Sequence, residues 1–267
     1  LASLALVLVA AGGLAGLGAG LFGGGGGTVI VPALFYAFSL LGLGGAGNLH
    51  VAVGSSLLVI IATSWTSLKT HQASGAVDQA VLRDWLPWIA LGALTGSGLA
   101  ALAHKQTLAA VYAVALMIVA AQMGLAPAGW TLAKDLPGGW PRRGIGGLIG
   151  TLSAMMGIGG GALGAMLMTL CNRPIHQAVA TASGFGLAIG IPATLGFIIG
   201  GWDAPGRPPG SLGYVNIPAA VLMGLLTTRV APFGARLAHR MNKRTLKRAF
   251  AVFLALTALS VVIKTWF

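Results

Sequence analysis

The chain has no glutamate, and its 267 residues include only four aspartates, Asp78, Asp84, Asp135 and Asp203. Charged side chains are 7% of the sequence, against roughly 25% in a soluble domain, which excludes an ordinary water-soluble globule. All four acids fall in loops or at the ends of apolar stretches. A buried carboxylate of the kind proton-coupled carriers commonly use is therefore missing. The single cysteine, Cys171, excludes an internal disulfide. The net charge of +12 does not point to nucleic acid, because Lys and Arg gather at the ends of apolar segments, as membrane anchors do. Residues 1–22 lack the basic start of a secretory signal and run straight into a glycine-rich stretch. The first residue is not methionine, so a native start upstream is expected.

What remains is apolar. The hydrophobic set is 56% of the residues and glycine accounts for 43 of them, an enrichment that in membrane helices lets backbones approach closely. Full-length apolar spans read as 50–68, 85–103, 107–124, 177–200, 215–238 and 246–264, each near the ~20 residues that cross a bilayer. Trp85, Trp88 and Trp266 stand at span ends as interfacial anchors.

One pattern occurs twice, about 134 residues apart. The first copy reads Gly16-Leu-Gly-Ala-Gly-Leu-Phe-Gly23-Gly-Gly-Gly-Gly27, and the second Gly150-Thr-Leu-Ser-Ala-Met-Met-Gly157-Ile-Gly-Gly-Gly161. Each block is followed by a His-x-Ala-Val phrase, at His50 and at His176. In the second copy the arms around the glycines, 143–156 and 160–171, reach only about 18–21 Å as helices, short of the ~30 Å hydrocarbon layer. Such arms fit a hairpin that enters the membrane, breaks at the glycines and returns. The first copy, 1–22 and 28–42, has longer arms that could each cross. Looser matches, Gly75-Ala-Val-Asp78 with Gly213-Tyr-Val-Asn216 and His104-Lys105 with His239-Arg240, carry the repeat over nearly the whole chain.

The expected fold is thus an all-α polytopic membrane protein. It has two inverted-topology repeats, each a glycine-broken hairpin plus three transmembrane helices, giving 8–10 membrane segments. The N-terminal repeat is 1–124, a cytoplasmic linker rich in Pro and Gly is 125–142, and the C-terminal inverted repeat is 143–267. A returning hairpin plus three crossings leaves the ends of each half on opposite sides, so the second half must be inverted. With the cluster Arg240, Lys243, Arg244, Lys247 and Arg248 in the cytoplasm, the only Lys and Arg outside are Lys105, Arg207 and Lys264, as the positive-inside rule requires.

The block Gly23–Gly27 followed by Pro32, the phrase His50-x-Ala-x-Gly-Ser55-Ser56, the loop Lys69-x-His71…Gly75-x-Val-Asp78 and the second copy of the first two elements resemble the TauE/SafE sulfite exporter family. The second block departs slightly, with Ile158 where the first has Gly24. The resemblance implies a multi-pass transporter of the bacterial cytoplasmic (inner) membrane that moves small anions outward, typically sulfite or organosulfonates such as sulfoacetate. Its expected partners are that anion and the lipid bilayer. No cofactor, metal or nucleic acid is expected, and a homodimer is left open.

A broken helix leaves N–H groups free at the start of its second arm, and with the helix dipole they form an anion site. The candidates for this role are Gly25, Gly26, Gly27 and Thr28 in the first block and Gly159, Gly160 and Gly161 in the second. The alternative is that these glycines only permit tight helix crossings. The hydroxyls of Ser55, Ser56, Thr181 and Ser183 can donate to an oxyanion, or bond back to their own helices. His50 and His176 could bind the anion or shuttle a proton, or simply sit at the interface. Arg229, about 15 Å deep by helical rise, either meets the substrate or snorkels to the cytoplasmic surface. A channel of the same architecture is a second reading. An intramembrane hydrolase built on Ser183 is a third, disfavoured because His176 lies about two turns away on the same helix. The chain is therefore read as no enzyme, and the membrane potential as the driver of anion exit.

Overall fold

The computed structural model describes residues 9, 12, 13, 15–17, 27–43, 45–125, 131–240 and 243–266. Its helices in chain order are α1 (Gly27–Leu40), α2 (Asn48–Ala73), α3 (Gln79–Leu102), α4 (Lys105–Leu125), α5 (Gly139–Met156), α6 (Gly161–Leu170), α7 (Ile175–Gly200), α8 (Ile217–Arg240) and α9 (Lys243–Trp266). A two-stranded hairpin, β1 (Ser211–Leu212) and β2 (Val215–Asn216), precedes α8 and pairs Ser211 with Asn216. The protein is all-α and polytopic. Helices α2, α3, α4 over Lys105–Gln122 and α7 are long and apolar enough to cross a bilayer. Ile217–Val230 and Ala251–Trp266 supply shorter apolar stretches within α8 and α9.

The short arms of the second copy are real helices, of 18 and 10 residues, or about 27 and 15 Å. Helix α5 begins at Gly139, inside the stretch expected to be linker, and takes Pro141 into its first turn. A proline costs little there, because the N–H it lacks would have no helical partner. Asp78 caps α3 through Val81 N–H (3.1 Å), and Asn216 caps α8 through Ala219 N–H (2.9 Å).

Polar contacts sort the helix ends into two groups. At one end Arg142 pairs with Asp84, Arg173 with Asp135, and the Arg143 guanidinium lies over Trp88 and Trp140. The N–H groups of Leu132 and Ala133 donate to Leu170 O at this same end, so the α5–α6 hairpin returns to where it started. At the other end His50 meets Ala103 and Tyr214, and the Lys264 ammonium lies 4.7 Å from the Tyr36 ring. Arg142, Arg143 and Arg173 thus lie at the end opposite Lys264.

Glycines set the tightest crossings. A Cβ built on Gly92 of α3 would lie 2.0 Å from Gly147 O of α5, and one on Gly150 would lie 2.1 Å from Ile89 O. Gly12 and Gly16 press against α8, with a Cβ 2.7 Å from Leu226 Cδ1 and 2.8 Å from Val230 Cβ. Van der Waals contact is the main force between helices in lipid, and absent side chains bring it within reach. Helix α3 also packs on α7, α2 on α1 and α7, and α9 on α4.

Gly92→Ala and Gly150→Ala should each cost about 1–3 kcal/mol by forcing α3 from α5. Gly98→Ala, on the same helix with open space around it, should be neutral. Thermal unfolding in detergent reads the difference.

Candidate functional site

The second glycine block ends one helix and begins another. Gly157 takes a left-handed conformation (φ 66°), its N–H reaching Ala154 O and the Ile158 N–H reaching Ser153 O at 2.9 Å. That pair of bonds closes a Schellman turn on α5. Gly160 is left-handed as well (φ 66°) and precedes α6, which has no side-chain cap. The first N–H groups of α6 therefore point out of the helix without a capping side chain.

The two blocks touch. A Cβ on Gly27 would lie 2.7 Å from Gly157 O and 2.9 Å from Ile158 Cα. From this contact α1 runs to the His50 end of the bundle and α6 to the Asp84 end. Ile60 of α2 is wedged at the same point, its Cδ1 3.0 Å from a Cβ on Gly27 and its Cγ2 2.5 Å from one on Gly159. Ile189 of α7 closes on Gly160 from the other side, 2.3 Å from a Cβ there. Both isoleucines are fully buried.

Beside the break, toward the Asp84 end, lies a cavity of about 40 Å³ lined by Thr63, Ser64, Ser67, Gly159, Gly161, Val179, Ala182 and Ser183. No lining residue carries a charge. Ser64 is 7% exposed, and neither its hydroxyl nor that of Ser67 has a hydrogen-bond partner among the described residues. A Cβ on Gly186 would lie 2.0 Å from Ser64 Oγ, so this glycine leaves the hydroxyl its room.

Of the residues singled out in the sequence, Gly159, Gly161 and Ser183 line this cavity, with Gly160 between them. Gly27 touches the second block, Thr28 is buried in the first turn of α1, and Gly25 and Gly26 lie outside the described residues. Ser56 shares its proton between Val53 O (2.7 Å) and Gly157 O (2.9 Å), tying α2 to the break. Ser183 donates to Ala180 O at 2.6 Å. Ser55 and Thr181, both fully buried, have a different task. Ser55 Oγ accepts the N–H of Asn216 (2.8 Å), and Thr181 Oγ1 accepts the N–H of Asp78 (2.9 Å). The histidines sit apart from the cavity. Buried His50 donates from Nε2 to Ala103 O (3.1 Å), while His176 is exposed in the first turn of α7. Arg229 is exposed on the outward stripe of α8 that carries Val221, Leu225 and Phe233.

Thr63, Ser64 and Ser67 were not found by reading for symmetry, because their counterparts in α7, counting from His50 and His176, are Ile189, Gly190 and Ala193. The available signal was local: four hydroxyls within five residues, Thr63, Ser64, Thr66 and Ser67, in an otherwise apolar span.

A bundle of apolar helices enclosing a small neutral cavity at a broken helix defines a multi-pass membrane transporter. The chain belongs to the sulfite exporter TauE/SafE family, whose model matches residues 8–261. It is 31% identical over 266 residues to a probable membrane transporter protein of Haemophilus influenzae, covering 97% of this chain and 98% of that protein. It is 27% identical to a probable membrane transporter protein of Xylella fastidiosa, over 98% of this chain and 96% of the other. A third, from Methanocaldococcus jannaschii, is 22% identical over 96% and 95%. No solved structure matches the chain.

Gly160→Ala should cost roughly 1–2 kcal/mol for its left-handed backbone alone, and its methyl would collide with Ile189. Gly144→Ala, with nothing near, should leave the unfolding temperature in detergent unchanged.

Proposed function

We propose that the protein exports small sulfur-containing anions, sulfite and organosulfonates such as sulfoacetate, across the bacterial inner membrane. The central site is at the paired glycine breaks. The observation that carries this reading is the neutral hydroxyl-lined cavity beside the uncapped start of α6, at the point where Gly27 meets Gly157 and Ile158. Uncapped N–H groups and the positive end of a helix dipole suit an oxyanion.

In this reading the halves are inverted repeats. Two observations support it: α1 and α6 leave the glycine contact in opposite directions, and the Asp78–Thr181 and Asn216–Ser55 bonds are reciprocal. In each, the N-cap of one half's fourth segment donates its backbone N–H to a hydroxyl on the third segment of the other half. Alternating access then rocks the halves about the shared site. Ile60 and Ile189 favour this over an open channel, because their buried side chains press against Gly27, Gly159 and Gly160 and fill the break. Anion exit follows the membrane potential, at about 2.3 kcal/mol per charge per 100 mV.

Purified protein in proteoliposomes should show saturable sulfite flux that is accelerated by sulfite on the opposite side. Unsaturable flux with unitary currents in planar bilayers would establish the channel instead. Arg229 shares the outward stripe of α8 with apolar side chains, a setting for a snorkelling side chain. Arg229→Met should therefore keep its affinity for sulfite, and a loss of saturable flux would put the arginine in the anion path.

A further inference from the structure

We propose that the cavity selects its ligand by charge state: it takes the monoanion of a small sulfur oxyanion, hydrogensulfite or a sulfonate, and rejects the dianion. The inference deepens the export reading and rests on it.

The donors facing the cavity are all neutral. Ser64 and Ser67 have hydroxyls free of protein partners among the described residues, Ser64 while only 7% exposed. The start of α6 adds N–H groups beside Gly161. A helix N-terminus is equivalent to roughly half a positive charge, so this set complements one negative charge and leaves a second without compensation. The cost of taking an ion out of water rises with the square of its charge, so a dianion meets about four times the penalty of a monoanion.

Among the described residues no cation makes up the deficit. Helices α1 and α6 carry no ionisable charge. On α2 the ammonium of exposed Lys69 lies 4.6 Å from the Trp65 ring, and His71 is a turn beyond Ser67. On α7 His176 is exposed, and Arg173 before it is held by Asp135. On α3, Asp78 caps its own helix, Arg83 is exposed, and Asp84 is paired with Arg142 of α5.

Size and asymmetry agree with a single sulfonate-sized group. About 40 Å³ is room for roughly three waters. The α2 wall offers the free hydroxyls of Ser64 and Ser67, whereas on the α7 wall Val179 and Ala182 are apolar and the Ser183 hydroxyl is already donated to Ala180 O. Oxygens would face α2, and the sulfur lone pair or the carbon of a sulfonate would face α7.

The test is zero-trans flux of the full chain in proteoliposomes across a pH series spanning the second ionisation of sulfite. Methanesulfonate, a monoanion throughout, is the control. The apparent affinity for total sulfite should fall about tenfold per pH unit above that ionisation, following the fraction of monoanion. The affinity for methanesulfonate should stay constant, and sulfate should compete poorly. Ser64→Ala with Ser67→Ala should weaken methanesulfonate affinity about tenfold or more, since hydrogen bonds to a charged group are lost. The pH series needs only the natural sequence, so it decides even where the double variant fails to fold. Saturable sulfite flux that is flat or rising with pH, or sulfate competing as well as methanesulfonate, overturns the charge selection and leaves the export reading standing. No saturable flux of any of these anions overturns both.

Discussion

A helix interrupted within a bilayer must find partners for its freed backbone groups inside the protein, because hydrocarbon offers none. The break between α5 and α6 meets this demand unevenly. On the α5 side the Schellman turn at Gly157 closes the last carbonyls, and the Ser56 hydroxyl reaches Gly157 O. On the α6 side no side chain caps the first turn. The uncapped start of α6 lies beside the cavity that Ser64 and Ser67 line. The neighbouring residues fit around this imbalance: Gly186 leaves room for Ser64, and buried Ile60 and Ile189 pack against the glycines of the break.

The scaffold that holds the break relies on contact between backbones. Gly92, Gly96 and Gly150 let α3 and α5 meet at distances no side chain would allow. Hydrogen bonds at Ser55, Ser56 and Thr181 add to this contact, and the ion pairs among the described residues lie at the end where α3 and α5 begin. Close packing fixes the helices laterally, and the charged rim fixes how far each is inserted.

Much of this was legible in the chain. The apolar spans, the hairpin arms and the position of the second break could be read from hydropathy and glycine alone. Those properties depend on the solvent around each segment, which composition reports directly. The duplication singled out the hydroxyls of Ser55, Ser56, Thr181 and Ser183 for an oxyanion or for their own helices, and the structure adds partners for the first three in backbone groups 161, 101 and 103 residues away. A sequence shows that a donor or acceptor exists and not which group it meets. Ser64 and Ser67 escaped for the opposite reason. They occur in one half only, and a search for symmetry discards what is not repeated. Pro141 was read as loop because proline breaks helices, although in a first turn it breaks nothing.

The reciprocal bonds of Ser55 and Thr181 also bear on how the chain is made. Ser55 is synthesised 161 residues before the Asn216 N–H that it accepts, and the Asp78 N–H precedes Thr181 by 103. During translation the first half therefore reaches the membrane with a polar backbone group and a buried acceptor that only the second half can satisfy. The segments before and after residues 125–138 are thus tied to each other by hydrogen bonds to buried hydroxyls. The nascent first half must wait at the translocon or in lipid with its polar groups hydrated. The Asp78–Thr181 bond can form once α7 is in place, and the Asn216–Ser55 bond closes only at the start of α8.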